Sequence, residues 1–235
     1  MTDARKASPA PPRALLLDLD GTLLDSAPDI HAALDRLMAS RGLRGFAAPE
    51  VHRMIGDGVR VLVSRAMAAR GREATDEDAA DYLADYEANA THATFPFPGV
   101  EEALSAIRDA GGWRMAVCTN KPERPAREIL EATGLAGFFD AVAGGDTYPV
   151  RKPDPRHLTL TLDRLGLPPE GAVMVGDHAN DVRSARAAGL APVFAAWGYG
   201  APEMAEGAVA VARAPADLPA LLAALPATSG GHGAA

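Results

Sequence analysis

Hydrophobic positions along this chain follow two rhythms. Between residue 27 and about residue 95 the spacing is helical. Ile30, Ala33, Leu34, Leu37 and Met38 recur every three or four residues and mark one apolar stripe. Ser26-Ala27-Pro28-Asp29 predicts the start of that helix, with Ser26 as the cap and Pro28 in the first turn, and Gly42 predicts its end. Further helices are predicted at 58–70 and 77–90, with no convincing strand among them. From residue 95 the rhythm becomes strand, loop, helix. Strands are predicted at 114–118, 141–143, 172–175, 192–197 and 208–211, and helices at 100–110, 123–133, 156–165, 181–188 and 216–225. Gly111-Gly112, Gly134 and Gly189 close three of these helices. The strands are continuously apolar, which fits a parallel sheet covered on both faces. Residues 14–19 read as one more such strand. The expected fold is therefore α/β, a doubly wound, mostly parallel sheet formed by 13–26 and 96–226. A helical cap, 27–95, is inserted after the first strand, and flexible tails are expected at 1–12 and 227–235.

Composition narrows the possible roles. The 235 residues are 48% hydrophobic, enough for a sizeable core in one large domain or two modest ones. The net charge of -8, with no basic cluster, argues against a nucleic-acid partner. Residues 1–12 contain no apolar segment of the secretory type, and no apolar run is long enough to span a membrane. The one cysteine, Cys118, cannot form an internal disulfide. A soluble, cytoplasmic protein is expected, monomeric or homodimeric. Cys118 follows an apolar run, has no histidine partner in the sequence and reads as core. Apart from His178, the histidines lack metal-ligand spacing and read as surface residues.

Candidate chemistry concentrates where apolar strands end. Asp18 and Asp20 follow the first strand, and residues two apart on a strand share a side. Two adjacent carboxylates repel, so they suggest a divalent cation, a nucleophile with its acid/base partner, or both; an acidic turn is the plainer reading. The strand ending at Cys118 leads to Thr119-Asn120-Lys121. Gly144-Gly145-Asp146 leads on to Lys152-Pro153, and the strand at 172–175 leads to Gly176-Asp177, with Asp181 four residues later. Carboxyl ends of parallel strands open on one edge, so these groups should meet in one crevice. Carboxylates Asp18 and Asp177 suit a hard cation, whereas Thr119 and Lys152 suit phosphate oxygens. The plainer readings are a helix cap for Asp177, a solvated lysine for Lys152, a strand-end residue for Thr119 and a first-turn acid for Asp181.

In this order, Asp18-Leu19-Asp20-Gly21-Thr22, Thr119-Asn120, Lys152-Pro153 and Gly176-Asp177 with Asp181 resemble the four motifs of the haloacid-dehalogenase superfamily. Thr119-Asn120-Lys121-Pro122-Glu123, Gly144-Gly145-Asp146-Thr147 and Arg151-Lys152-Pro153-Asp154-Pro155 resemble its phosphoglycolate phosphatase branch. The resemblance implies a Rossmann-like core and a Mg²⁺-dependent phosphomonoester hydrolase acting through an aspartyl-phosphate. Asp18 would be the nucleophile and Asp20 the acid/base. Thr119 and Lys152 would serve as catalytic partners, with Gly21 and Asn120 lining the substrate site. Mg²⁺ would be held by the Asp18 side chain, the Asp20 backbone carbonyl and Asp177, with Asp181 orienting a metal-bound water or Lys152. Thr22 would brace the loop, and His178 stands where the family often has a small hydroxyl residue.

The cap would choose the substrate, a small phosphorylated metabolite, with 2-phosphoglycolate the expected one. Its segment His52-Arg53-Met54-Ile55-Gly56-Asp57-Gly58 resembles the cap loop of that branch. There Gly56 would allow close backbone approach and Arg53 would pair with a substrate carboxylate; the plainer reading is a helix–helix turn with a surface arginine. The competing functions are a sugar-phosphate phosphatase or phosphomutase, a dehalogenase, and a non-catalytic binding protein on the same fold.

Overall fold

The computed structural model describes residues 12–226. The first strand, β1 (Arg13–Leu17), leads through a tight turn to β2 (Leu24–Asp25). Four helices follow, α1 (Ala27–Ser40), α2 (Ala48–His52), α3 (Val59–Ala68) and α4 (Asp76–Asn89), and β3 (Phe95–Pro96) returns beside β2 as an antiparallel pair. The rest alternates: α5 (Val100–Ala110), β4 (Trp113–Cys118), α6 (Glu123–Ala132), β5 (Ala141–Ala143), α7 (Arg156–Leu165), β6 (Val173–Gly176), α8 (Ala179–Ala187), β7 (Ala191–Ala195), β8 (Ala210–Ala212) and α9 (Leu218–Ala224). The main sheet has the order β5-β4-β1-β6-β7-β8, with every neighbouring pair parallel.

Burial explains why the strands carry no polar alternation. Leu15 and Leu17 point into one apolar layer with Val117, Val175 and Val193. Leu16 points into the other, with Ala116, Met174 and the α7 residues Leu158 and Leu162. Each fully buried leucine contributes about 1.5–3 kcal/mol relative to an exposed one. In the helical segment, Ile30, Ala33, Leu34, Leu37 and Met38 form the buried stripe of α1, which packs on α4.

Several local expectations change. The ladder of β1 stops at Leu17 rather than residue 19. Asp18 N–H still donates to the Val175 carbonyl at 2.9 Å, and then the Leu19 carbonyl gathers the N–H groups of Thr22, Leu23 and Leu24 into a turn. Ser26 precedes α1, but its hydroxyl does not cap the helix; it donates to Asp20 Oδ1 at 2.6 Å. The helix α2 is too short, with Pro49 in its first turn, to show a period in the sequence. The tails expected at 1–12 and 227–235 lie outside the described residues, Pro12 aside.

Candidate active site

The turn after β1 sets two carboxylates on different tasks. Asp18 Oδ1 accepts the Leu19 N–H at 2.8 Å and the Lys152 ammonium at 3.0 Å, which leaves Oδ2 with no protein donor among the described residues. The Asp20 carboxylate turns the other way, toward Lys121 Nζ at 2.9 and 3.1 Å and the Ser26 hydroxyl. Gly21, directly after Asp20, has φ +82°, and a methyl group there would overlap the Asp177 carboxylate. A glycine is therefore required twice over, by backbone conformation and by space.

The ends of β6 and β4 supply the partners. Asp177 follows β6 and is buried against Asp18 and Asp181, with carboxylate oxygens of all three within 4.8 Å of one another. Thr22 Oγ1 donates to Asp177 Oδ1 at 3.1 Å, and the backbone N–H groups of Tyr199 and Gly200 donate to its Oδ2 at 2.8 and 3.3 Å. Both oxygens of Asp181 are engaged, one by Lys152 Nζ at 2.6 Å and the other by the His178 N–H at 3.0 Å. Lys152 thus bridges Asp18 and Asp181, a fixed ammonium beside the carboxylate oxygen left free. Thr119 is buried at the end of β4, where its hydroxyl accepts the Lys121 N–H at 3.2 Å.

Electrostatics show what this cluster lacks. Four carboxylates, Asp18, Asp20, Asp177 and Asp181, face two ammonium groups, Lys121 and Lys152. Burial pushes Asp177 up to about 8, and the neighbouring charges of Asp18 and Asp181 add to the effect. Burial also raises Asp181 to about 7, against the pull of Lys152. Lys152 is buried too, but Asp18 and Asp181 more than offset that cost and raise its pKa. A buried all-oxygen set with surplus negative charge suits a hard divalent cation, so the residues present fit a metal. The Asp20 side chain lies outside the three-carboxylate cluster, and Asp181, expected to act on a water or Lys152, belongs to it.

Asp18 also borders a cavity of about 520 Å³, its open mouth included, between the sheet edge and the helical segment. Asp20, Thr119, Asn120, Lys121 and Pro122 line one wall; Ile30, Ile55, Gly56, Val59, Leu62, Tyr82 and Tyr86 line the other. Asn120 holds the walls together. Its Nδ2 donates to the Gly56 carbonyl at 3.0 Å and to the Lys152 carbonyl at 2.9 Å. Asn180 adds a bond to Asp57 Oδ1 at 2.6 Å. At Gly56, φ is +116°, and a methyl group would come within 2.7 Å of the His178 ring.

Arg53 is not brought to this cavity. It is exposed and lines an outer groove with His178 and Arg183, because the loop presents Ile55 and Gly56 inward. His178, half-buried at the edge of that groove, caps α8, accepting the Asn180 N–H on Nδ1 at 3.2 Å, and packs under Gly56. The surface reading of the histidines fails for His157, which is fully buried with Nε2 3.0 Å from the Gly144 carbonyl and its pKa lowered to about 4, mainly by desolvation. It sits 3.6 Å from Cys118 Sγ, a neighbour invisible in the sequence; burial raises that thiol to about 12 and keeps it inert.

Two residues without an assigned role in the sequence, Lys121 and Tyr199, prove central. Lys121 pairs with Asp20 and lies 4.4 Å from the Tyr86 ring centroid. The Tyr199 hydroxyl accepts the N–H groups of Ser26 and Ala27 at 2.8 and 2.9 Å and donates to Asp25 at 2.7 Å; its ring stacks on His52 of α2 at 5.0 Å. The one local hint is the flanking pair Gly198 and Gly200, where any side chain would strike Asp177 or the Gly21 carbonyl.

A strand-end nucleophile candidate, a buried oxygen cluster and a lysine bridge on a parallel sheet define a class. The haloacid dehalogenase-like hydrolase family matches residues 12–189, and the chain belongs to it. A phosphoglycolate phosphatase of Cereibacter sphaeroides is 44% identical over 190 residues, which cover 79% of this chain and 85% of that protein. One of Rhodospirillum rubrum is 42% identical over 209 residues, covering 85% and 86%. The crystal structure of a predicted phosphoglycolate phosphatase from Haemophilus somnus superposes with a TM-score of 0.82 at 28% identity, covering 89% of this chain and 97% of that one. The chain is accordingly an enzyme of the phosphatase type. Among the described residues, no helix is long and apolar enough to cross a membrane.

Proposed function

We propose that this enzyme is a Mg²⁺-dependent phosphomonoester hydrolase working through an aspartyl-phosphate on Asp18, with 2-phosphoglycolate as its substrate. The observation that carries the reading is the position of Asp18. One side meets the carboxylate cluster and Lys152, and the other meets the cavity under the helical segment. The substrate itself is inferred from the names of the relatives.

Mg²⁺ held by Asp18 and Asp177 would neutralise charge between the nucleophile and the phosphate and so permit their approach. Asp18 Oδ2, free of protein donors, is the oxygen to attack phosphorus in line. Lys152 and Thr119 receive the phosphoryl oxygens, with Asp181 fixing Lys152. Asp20 gives its proton to the leaving alkoxide and later takes one from the attacking water. Apolar residues of the helical wall exclude bulk water and limit substrate size.

The test is a phosphoester panel with Mg²⁺, followed by EDTA, for the wild type and Asp18→Asn. Free phosphate from 2-phosphoglycolate at far higher kcat/KM than from hexose phosphates is expected, with loss of turnover in the variant. An isomeric phosphate as product, or unchanged turnover in Asp18→Asn, would overturn the proposal.

A further inference from the structure

We infer that Lys121, assisted by the Tyr86 hydroxyl, reads the carboxylate of a small phosphorylated acid bound in the cavity. The inference rests on the phosphatase reading above and deepens it to a class of substrate. Among the described residues lining the cavity, Lys121 is the one cation; the helical wall is otherwise apolar or aromatic. The lysine is buried, with its side chain only 4% exposed, in contact with Asp20 and over the Tyr86 ring. An ammonium has three donors, and Asp20 engages two of them at most. Tyr86 lines the same cavity, and its hydroxyl is buried with no hydrogen-bond partner among the described residues. An unmet buried donor is costly, and a ligand that supplies the acceptor removes the cost.

The second unpartnered atom fixes the direction. Asn120 Oδ1 is buried without a partner among the described residues, and it is an acceptor that repels a carboxylate. Its amide group is held in that orientation by the two carbonyls it serves. With the phosphate held at Thr119 and Lys152 as proposed above, the substrate's carboxylate is left to Lys121 and Tyr86. Arg53, expected from the sequence to meet this carboxylate, stands in the outer groove. Lys121 also orients Asp20, so one lysine couples recognition of the acid to the placement of the proton donor.

The experiment compares kcat/KM for 2-phosphoglycolate with that for 2-hydroxyethyl phosphate, which replaces the carboxylate by a neutral group. The wild type is expected to favour the acid. Lys121→Met should lower that preference by at least about tenfold, Lys121→Arg should restore part of it, and Arg53→Ala should leave it unchanged. Tyr86→Phe, which removes a single atom from the wall, should raise KM for the acid about fivefold and leave the neutral ester alone. If Lys121→Met slows both esters equally and Tyr86→Phe alters neither KM, the lysine only positions Asp20 and the inference falls while the phosphatase reading stands. If the wild type shows no preference for the acid, the proposed substrate itself is wrong. Should Lys121→Met fail to fold, Tyr86→Phe decides: equal KM changes for both esters overturn the inference.

Discussion

Replacing Asp177 by Asn should make the metal-free protein more stable near pH 8 while removing its activity. The cause is the buried carboxylate cluster. Asp177 is raised to about 8 in the fold, chiefly by desolvation and by Asp18, from an ordinary value of 3.8. The folded protein therefore holds a proton between about pH 4 and 8 that the unfolded chain releases. Stability is greatest at the acid side of that window and falls as pH rises through about 8. At about 1.4 kcal/mol per tenfold change in proton affinity, the span sets a ceiling on the order of 5 kcal/mol. Water and side-chain relaxation in the crevice reduce it, and a loss of about 1–3 kcal/mol is expected. An asparagine fits the same bonds: its oxygen can accept from the Tyr199 and Gly200 N–H groups while its NH₂ donates to a rotated Thr22 hydroxyl. Urea unfolding in EDTA at pH 5.5 and pH 8.5, with and without excess Mg²⁺, measures the effect. The wild type should lose stability at the higher pH and regain it with Mg²⁺. The variant should show a flatter profile, with the remainder due to Asp181, and respond weakly to the metal. A wild type at least as stable at pH 8.5 as at pH 5.5 in EDTA, or a variant weaker than the wild type at pH 8.5, would refute the reasoning.

Lys152→Met leaves Asp18 and Asp181 buried without their shared cation, which should cost about 3–5 kcal/mol and lower Tm by on the order of 10 °C; a thermal scan showing a shift under about 2 °C would contradict it. Tyr199→Phe strands the N–H groups of Ser26 and Ala27 and the Asp25 carboxylate, a loss of about 1–3 kcal/mol. Urea unfolding should reveal the loss, and an unchanged midpoint would show that water replaces the hydroxyl.

What could be read from the sequence follows from how far each signal reaches. Leu15, Leu16 and Leu17 announce a strand buried on both faces because the rule is local, and the stripe from Ile30 to Met38 announces a helix for the same reason. The gathering of Asp18, Thr119, Lys152, Asp177 and Asp181 was legible because parallel strands end on one edge. Which way each side chain turns there was not. Asp18 and Asp20, two residues apart, diverge because Lys152 holds one and Lys121 the other. Ser26 has a capping residue's position, but its hydroxyl is aimed at Asp20, to which it donates, and its oxygen accepts no N–H of the helix. Tyr199 joins segments far apart in the chain, and His157 meets Cys118 across a helix–sheet contact; neither leaves a local mark. Arg53 failed as a guide because a sequence names the members of a loop without saying which of them faces inward.

The direct pairing of Asp25 with Phe95 has a topological consequence. It brings together the two ends of the segment 26–94, so the neighbours β1 and β4 are joined, in effect, by a much shorter connection than the residue numbers suggest. Loop closure grows only logarithmically with length, about 0.6 kcal/mol per doubling. Insertions or deletions within 26–94 can therefore alter the size and lining of the helical wall while the register of β1 against β4 stays as it is. What the cavity admits can thereby be varied apart from the strand ends that carry Asp18 and Thr119.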